Sequence, residues 1–312
     1  MASSKPRMNK REKLSLLADI EDGYRLFDKH ALSLLRSLLD DSDAQVRSEA
    51  IACLWNDPDP RWIDVLMHKA TQDPHSEVRA HAISALGRYV FEGDIAAFEE
   101  LEGYEPAISP DDYSRVSDFL FRIAQDPEES IEARRYAIEA LAFRAEDADV
   151  MDLIEWAYNY NDRRMKASAL FSMARNGDGR WTEYILKELT CRDPEIQYEA
   201  VHAAGELGLE EAIETLIEIV QSKHSRKPLK LLAVYALGQT GSERAYPLIE
   251  KMTHSRDRDM RDVAREAMDE WYAIKTADEI IGDELDDDML LTEDGDLAPN
   301  IWDDSMATFS KN

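Results

Sequence analysis

Residues that could carry catalysis or bind a metal ion are few in this chain and lie far apart. The 312 residues include only two cysteines, Cys53 and Cys191, and seven histidines, at positions 30, 68, 75, 81, 202, 224 and 254. No glycine-rich phosphate-binding loop is present, and the acidic run from Asp286 onward lacks the ligand spacing of an EF-hand. The motifs therefore predict no catalytic residue, no metal site and no cofactor.

The most regular pattern in the chain is a short helical motif at residues 77–87. Val78, Ala82 and Leu86 are spaced four residues apart, which places them on one face of a helix. Alanine in the middle keeps this face flat, so that another helix can come close. The Asp-Pro pair at 73–74 provides a turn and a helix start. One such helix cannot bury its own apolar face, so the motif calls for packing partners.

The motif recurs along the chain. Its central alanine occurs at seven positions: Ala50, Ala82, Ala137, Ala169, Ala200, Ala233 and Ala264. The steps between them are 32, 55, 32, 31, 33 and 31 residues. A near-constant period of this length is typical of a solenoid, in which each unit buries its apolar face on the next. We expect each repeat to be a helix pair, A then B, with the alanine on helix B.

The motif resembles the HEAT repeat, in the short form known as the PBS-lyase HEAT-like repeat, over about residues 28–275. This resemblance implies an all-α fold, a right-handed α-solenoid (α-α superhelix) of about seven helix pairs with disordered termini. Accordingly, we predict a flexible basic tail at residues 1–12, a solenoid at 13–275 and an acidic tail at 276–312. The 55-residue step predicts an insertion at about 92–114, which either carries binding residues or is a degenerate repeat.

The charge of the chain limits its partners. The formal net charge is −28, which opposes binding to nucleic acid and to anionic membrane surfaces. A basic or amphipathic protein is a better-matched partner, although acidity can also serve solubility alone. The sequence contains no run of about 18 apolar residues, and its two cysteines belong to distant repeats. We therefore expect a cytoplasmic protein; its oligomeric state cannot be predicted.

The C-terminal segment at 276–312 differs in composition from the repeats. It holds twelve Asp or Glu residues and one Lys. Apolar residues, including Trp302 and Phe309, are spaced among the acidic ones. Such segments resemble short linear motifs that become ordered on a partner. The same segment could instead dock onto the solenoid, or its apolar residues could have no role.

Some relatives implied by the resemblance are enzymes. Hydroxylases of the deoxyhypusine type bind iron through His-Glu dipeptides on their B helices, where imidazole and carboxylate suit this metal. No histidine here is followed by Glu, and the equivalent positions in repeats two and five hold His81-Ala82 and Tyr198-Glu199. A metal-dependent oxidoreductase is therefore disfavoured. A lyase-like activity on a tetrapyrrole-bearing protein stays an alternative, without a residue pattern that identifies its site. An enzyme is less expected than a non-enzyme.

The main prediction is a non-enzymatic scaffold or adaptor that binds a protein along its concave face. In HEAT arrays the B helices line this face, so the half-exposed positions beside the buried stripe form a row of aromatic and charged residues. Several of them could instead pack between repeats. The acidic tail would supply a second contact. The candidate binding residues are His81, Arg135, Tyr136, Phe171, Tyr198, His202, Tyr235, Trp302 and Phe309.

Overall fold

Helices form nearly all of the regular structure in the computed structural model, which describes residues 8–21, 29–56, 58–97 and 107–289. Within these ranges the chain forms fifteen α-helices and no β-strand. In chain order they are α1 (Lys10–Glu21), α2 (Lys29–Leu38), α3 (Ala44–Ala52), α4 (Ile63–Gln72), α5 (Ser76–Ala97), α6 (Pro110–Gln125), α7 (Ile131–Leu141), α8 (Ala148–Asn159), α9 (Arg163–Asn176), α10 (Thr182–Glu188), α11 (Pro194–Glu206), α12 (Ile213–Gln221), α13 (Lys227–Gln239), α14 (Tyr246–Thr253) and α15 (Arg258–Met289).

These helices form seven A–B pairs, from α2–α3 to α14–α15. Each B helix packs on its own A helix and on the B helices of the neighbouring repeats, whereas successive A helices in the described residues hardly meet. The array is therefore more closely spaced along its B layer, so the B helices line the concave side and the A helices the convex side. The predicted all-α solenoid of about seven helix pairs is confirmed.

Small residues explain why the B helices approach so closely. All seven central alanines are 0% exposed. The glycine that follows the motif also faces the next B helix: a Cβ added to Gly238 would lie 2.3 Å from the carbonyl oxygen of Ala267, and one added to Gly205 would lie 2.8 Å from Cα of Ala236. Alanine and glycine therefore recur because larger side chains at these positions would hold neighbouring B helices apart.

In at least three of the repeats, an arginine three positions before the central alanine ties the B helix to the end of its own A helix. Arg79 donates to the carbonyl oxygen of Asp73, Arg134 to that of Ala124 and Arg261 to that of Ser255, at 2.9–3.0 Å. These bonds satisfy carbonyl groups that a helix end leaves without partners. In repeat one, Arg47 also reaches the next repeat, because it donates two hydrogen bonds of 2.8 Å to the Asp73 carboxylate.

Helix α1 closes the N-terminal end of the array. It packs against α3 and buries Leu17 and Ile20. Its start is fixed by a capping box, in which Asn9 and Glu12 exchange side-chain to backbone hydrogen bonds. The helix therefore begins inside the segment 1–12 that was predicted to be a flexible tail; residues 1–7 lie outside the described residues.

The segment predicted as an insertion at 92–114 is partly helical. Helix α5 continues through Gly93 to Ala97, and α6 starts at Pro110 after the N-cap Ser109. The Gly93 position faces the ring of Tyr113, where an added Cβ would lie 2.0 Å from Cδ2. Residues 92–97 and 110–114 therefore extend the helices of repeats two and three, while residues 98–106 lie outside the described part of the chain.

The last B helix is the longest, and it crosses the boundary predicted at residues 275–276. It runs to Met289. Residues 290–312, with Trp302 and Phe309, lie outside the described residues, so the predicted role of the acidic tail stays a prediction. None of the helices described here is both long and apolar enough to span a membrane.

Candidate functional site

The candidate residues that fall in the described ranges all lie on B helices, but the structure brings only some of them together. His81 lies on α5, Arg135 and Tyr136 on α7, Phe171 on α9, Tyr198 and His202 on α11, and Tyr235 on α13. Phe171 and His202 stack face to face, with ring centroids 5.8 Å apart. Tyr198 is 40% exposed and projects from the surface. Tyr136 lies 5.7 Å from the guanidinium of its own neighbour, Arg135.

A second row of residues, which the sequence reading did not single out, lies one helical turn beyond the first. It occupies the position six residues after the central alanine in repeats two to seven and consists of Arg88, Phe143, Arg175, Glu206, Gln239 and Glu270. We call it the +6 row. Two pairs of adjacent members are in contact: the Arg175 guanidinium lies 4.3 Å from the Phe143 ring centroid, and Gln239 Nε2 donates to Glu206 Oε1 at 2.8 Å. The row therefore runs along the concave face from repeat two to repeat seven.

Arg175 joins the two rows in the middle of the concave face. Its guanidinium lies between the rings of Phe143 and Phe171, 4.3 and 4.4 Å from their centroids. It also donates a 2.9 Å hydrogen bond to the backbone oxygen of Glu139. Burial lowers the pKa of Arg175 to about 10, although the charges of Glu139 and Glu206 oppose this shift. Even so, the guanidinium stays charged near neutral pH and holds the aromatic walls in place.

A hydrogen-bond relay connects repeats three and four beside this stack. Arg135 Nε donates to Ser168 Oγ at 2.8 Å, and Ser168 Oγ donates to the carboxylate of Glu139. Burial raises the pKa of Glu139, while Ser168 and the nearby arginines oppose the shift. The hydrogen-bonding groups in this part of the face therefore satisfy one another. Arg135 belongs to this network and also carries a positive charge at the surface.

Carboxylates dominate the C-terminal half of the concave face. Glu206 and Glu270 belong to the +6 row, and Glu199 and Glu266 lie beside it on α11 and α15. In the described residues, the ion pairs of these four carboxylates involve no Lys or Arg; His202 is 3.8 Å from Glu206 and 4.0 Å from Glu199. Aromatic rings therefore give way along one face to carboxylates that form no ion pair with Lys or Arg in the described residues.

Two of these carboxylates, Glu199 and Glu270, have raised pKa values. Burial, reinforced by the charges of Glu139 and Glu195, raises the pKa of Glu199 to about 7. Burial and the charge of Glu206 raise the pKa of Glu270. The pKa of Tyr235 is raised by its own burial, and next by the charge of Glu270. The face thus holds acidic groups that would gain from a nearby positive charge.

The remaining candidates are less connected. His81 is half-buried, and its Nδ1 has no hydrogen-bond partner among the described residues. Among the described residues, no three His, Cys, Asp or Glu side chains are grouped so that they could hold a metal ion. At the N-terminal end of the face, Phe91 packs edge-on against Phe143 with centroids 5.1 Å apart, and Arg88 lies over the Phe91 ring. This end is aromatic, and its Arg88 forms an ion pair with Glu92.

Comparison with known proteins supports the fold. The family profile described as HEAT repeats matches residues 32–105 and 182–269, which together make up just over half of the chain. A search of curated proteins found no significant match. The yeast importin-β structure (Kap95p) is similar over 86% of this chain and 39% of its own, with 12% identity and a TM-score of 0.52.

Two smaller proteins match at lower TM-scores. Human deoxyhypusine hydroxylase in complex with glycerol shares 18% identity over 86% of this chain and 93% of its own, with a TM-score of 0.37. The complex of CpcE and CpcF of phycocyanin lyase from Nostoc sp. PCC7120 shares 17% identity over 80% of this chain and 96% of that chain, with a TM-score of 0.46. From the repeat profile and the solenoid geometry, the chain belongs to the HEAT-repeat family.

Proposed function

We propose that this HEAT-repeat chain is a non-enzymatic scaffold or adaptor that binds a basic or amphipathic partner protein along its concave face. One observation carries the proposal. The concave face ends in four carboxylates, on Glu199, Glu206, Glu266 and Glu270, whose ion pairs in the described residues involve no Lys or Arg. Such an arrangement is complementary to Lys or Arg side chains on a partner.

A half-buried carboxylate whose pKa is raised loses solvation without gaining a counter-charge. A partner's Lys or Arg would provide that charge and would form a charge-assisted hydrogen bond. Glu199 has a pKa of about 7, so near neutral pH it is only partly ionised in the free protein. A partner's positive charge would therefore increase the ionised fraction of Glu199 more than that of the other carboxylates.

Aromatic side chains supply the apolar part of the proposed contact. Tyr198 is exposed at the edge of the carboxylate region, and Tyr235 lies beside Glu270. Phe171, already held by Arg175 and His202, offers a pre-formed wall that would cost little entropy on binding. A segment that alternates basic and apolar side chains fits this combination.

The acidic tail at 276–312 is proposed as a second contact. Its net charge of −11 would attract the same basic partner, and Trp302 and Phe309 would add apolar contacts. The proposed location is the cytoplasm, and it is supported by two free thiols, since Cys53 is buried and Cys191 belongs to a distant repeat. Nucleic acid is not a proposed ligand, because the net charge repels phosphates.

A peptide-display selection tests the proposal. Immobilised wild-type protein is presented with a library of random peptides, and the survivors are counter-selected on a Glu199→Gln, Glu270→Gln double variant. We expect the retained peptides to be rich in Lys and Arg beside apolar residues. Selected peptides that lack basic residues, or that bind both proteins equally, would contradict the proposal.

The same experiment tests whether the acidic tail contributes to binding. The selected peptides are titrated into a chain that lacks residues 290–312, which include Trp302 and Phe309 and lie beyond α15. Weaker binding is expected if the tail is a second contact. Unchanged affinity would assign all binding to the solenoid and would remove the tail from the proposal.

A further inference from the structure

An open groove of about 1080 Å³ lies on the convex side of the array, between the A helices α6 and α8. Its floor includes Phe121, Leu153 and Trp156, and Arg134 enters it from the start of α7. Trp156 is 38% exposed, which makes it one of the few large apolar side chains at the described surface. The groove is separate from the concave face, because A helices form its walls.

Arg134 lines this groove and differs in its partners from the arginine of repeat one. Its counterpart in repeat one, Arg47, donates two hydrogen bonds to Asp73, nine residues before the central alanine of the next repeat. For Arg134 the equivalent position is nine residues before Ala169, and it holds Tyr160. Arg134 therefore lacks the carboxylate that its counterpart has.

The guanidinium of Arg134 is only partly satisfied within the described chain. Its Nε donates to the Ala124 oxygen at 3.0 Å, and its plane lies against the rings of Trp156 and Tyr160, at 4.8 and 5.5 Å from their centroids. The residue is only 5% exposed, and no ion pair to a carboxylate forms in the described residues. A buried guanidinium without a counter-ion is costly unless a ligand supplies one.

Arg122 is the second available cation in the groove. Its Nε donates to the backbone oxygen of Asp118, and among the described residues it makes no ion pair with a carboxylate. The other two arginines of the groove already form ion pairs, Arg115 with Asp64 and Arg144 with Asp147. The free basic groups therefore lie at one end of α6 and the start of α7.

The opposite wall of the groove, formed by α8, is negatively charged. Asp149 and Asp152 lie on α8 and line the groove, and neither pairs with a cation in the described residues. The cations without a carboxylate partner therefore lie on the α6–α7 side of the groove, where Asp118 also lies, the aspartates Asp149 and Asp152 lie on α8, and the floor is apolar. This arrangement suits a short amphipathic segment whose charges have opposite sign on its two flanks.

We propose that the groove between α6 and α8 binds a segment of a partner protein that presents a carboxylate beside an aromatic or aliphatic side chain. The carboxylate accepts hydrogen bonds from Arg134 and Arg122, and the apolar side chain packs on Trp156. A basic residue on the other flank faces Asp149 and Asp152. The concave face would repel the same carboxylate, so the two surfaces select different segments.

The experiment is a fluorescence-anisotropy titration of the full chain with a labelled synthetic peptide, the Asp peptide, that has one Trp between a pair of Asp and a pair of Lys. A second peptide has Lys in place of every Asp. The variants are Arg122→Ala and Trp156→Ala, and the matched controls are Arg163→Ala, an exposed arginine on α9, and Tyr272→Ala, an exposed aromatic residue on α15.

We expect each groove variant to weaken binding of the Asp peptide about tenfold, and each control to change it less than about twofold. Circular dichroism confirms that the variants are folded, and the exposed positions of Arg122 and Trp156 make this outcome expected. Glu199→Gln, on the concave face, leaves the affinity of the Asp peptide unchanged, which separates this proposal from the one above.

Three results would overturn the proposal. One is equal affinity of wild type and both groove variants for the Asp peptide. Another is that the Lys peptide binds with the same dependence on Arg122. The third is that the Asp peptide binds only after removal of residues 290–312, which would assign the groove to the chain's own tail and not to a partner.

Discussion

The imidazole of His202 stacks on the phenyl ring of Phe171, with centroids 5.8 Å apart and ring planes 9° apart. The two residues come from different repeats, so the stack joins α9 to α11 across the concave face. Burial lowers the pKa of His202, and the positive charge of Arg175 acts in the same direction, while Glu206 opposes it. A neutral imidazole is what allows a flat stack beside a guanidinium.

The first prediction concerns this stack. Phe171→Ala removes the ring that shields His202, so water reaches the imidazole and its pKa rises toward the ordinary value of 6.5. The titration is followed by NMR through the imidazole proton shifts. Phe91→Ala, which removes a phenyl ring from the same face without touching His202, is the control. A His202 pKa that does not change in Phe171→Ala would show that the ring does not shield it.

The second prediction concerns the pH dependence of stability. The folded state raises the pKa of Glu199 from 4.5 to about 7, so between these values the folded chain holds a proton that the unfolded chain has lost. Stability contributed by this proton is complete below pH 4.5 and is lost as the pH rises through 7. The loss is about 1–3 kcal/mol, given that the side chain is partly exposed.

Urea unfolding at about pH 5 and about pH 8 measures this dependence. Glu199→Gln cannot ionise, so it should lose less stability than wild type over this interval. Glu210→Gln, at an exposed position before α12, is the matched control and should follow wild type. If Glu199→Gln and wild type lose the same amount of stability, folding does not raise the pKa of Glu199.

The third prediction tests the close packing of the B helices. Gly238→Ala forces a methyl group against the backbone of Ala267, and neither helix can yield without opening the interface. We expect a loss of roughly 1–3 kcal/mol in the free energy of unfolding. Gly179→Ala is the control, since an added Cβ there meets nothing within 4 Å. Equal stability of the two variants would show that the B helices can separate at no cost.

The sequence predicted the scaffold well because its determinants are local and repeated. Spacing alone placed all seven central alanines on B helices, where each is fully buried. The capping box of Asn9 and Glu12 was also visible in the sequence, but it stands before a weakly amphipathic helix and was assigned to the tail. A helix-start signal can therefore be as informative as the apolar pattern that follows it.

The candidate site was predicted only in part. Phe171, His202 and Tyr235 were found because they lie close to the motif, whereas Arg175 and Glu206 lie one turn further, beyond the Leu-Gly end of the repeat. The same alignment continued by four residues would have shown the +6 row. Ionisation could not be predicted in this way, because the pKa of Glu199 depends on its burial and on Glu139 from a different repeat.

The most direct test of the central claim is a calorimetric titration of a lysine-rich peptide into two double variants that lose the same formal charge. Glu199→Gln with Glu270→Gln removes carboxylates from the concave face, and Glu210→Gln with Glu211→Gln removes exposed ones beside α12. At about 0.15 M salt, we expect the first to bind about tenfold more weakly than wild type and the second to match it within about twofold. Equal affinities of the two variants would mean that binding follows net charge alone, and would contradict a binding site on the concave face.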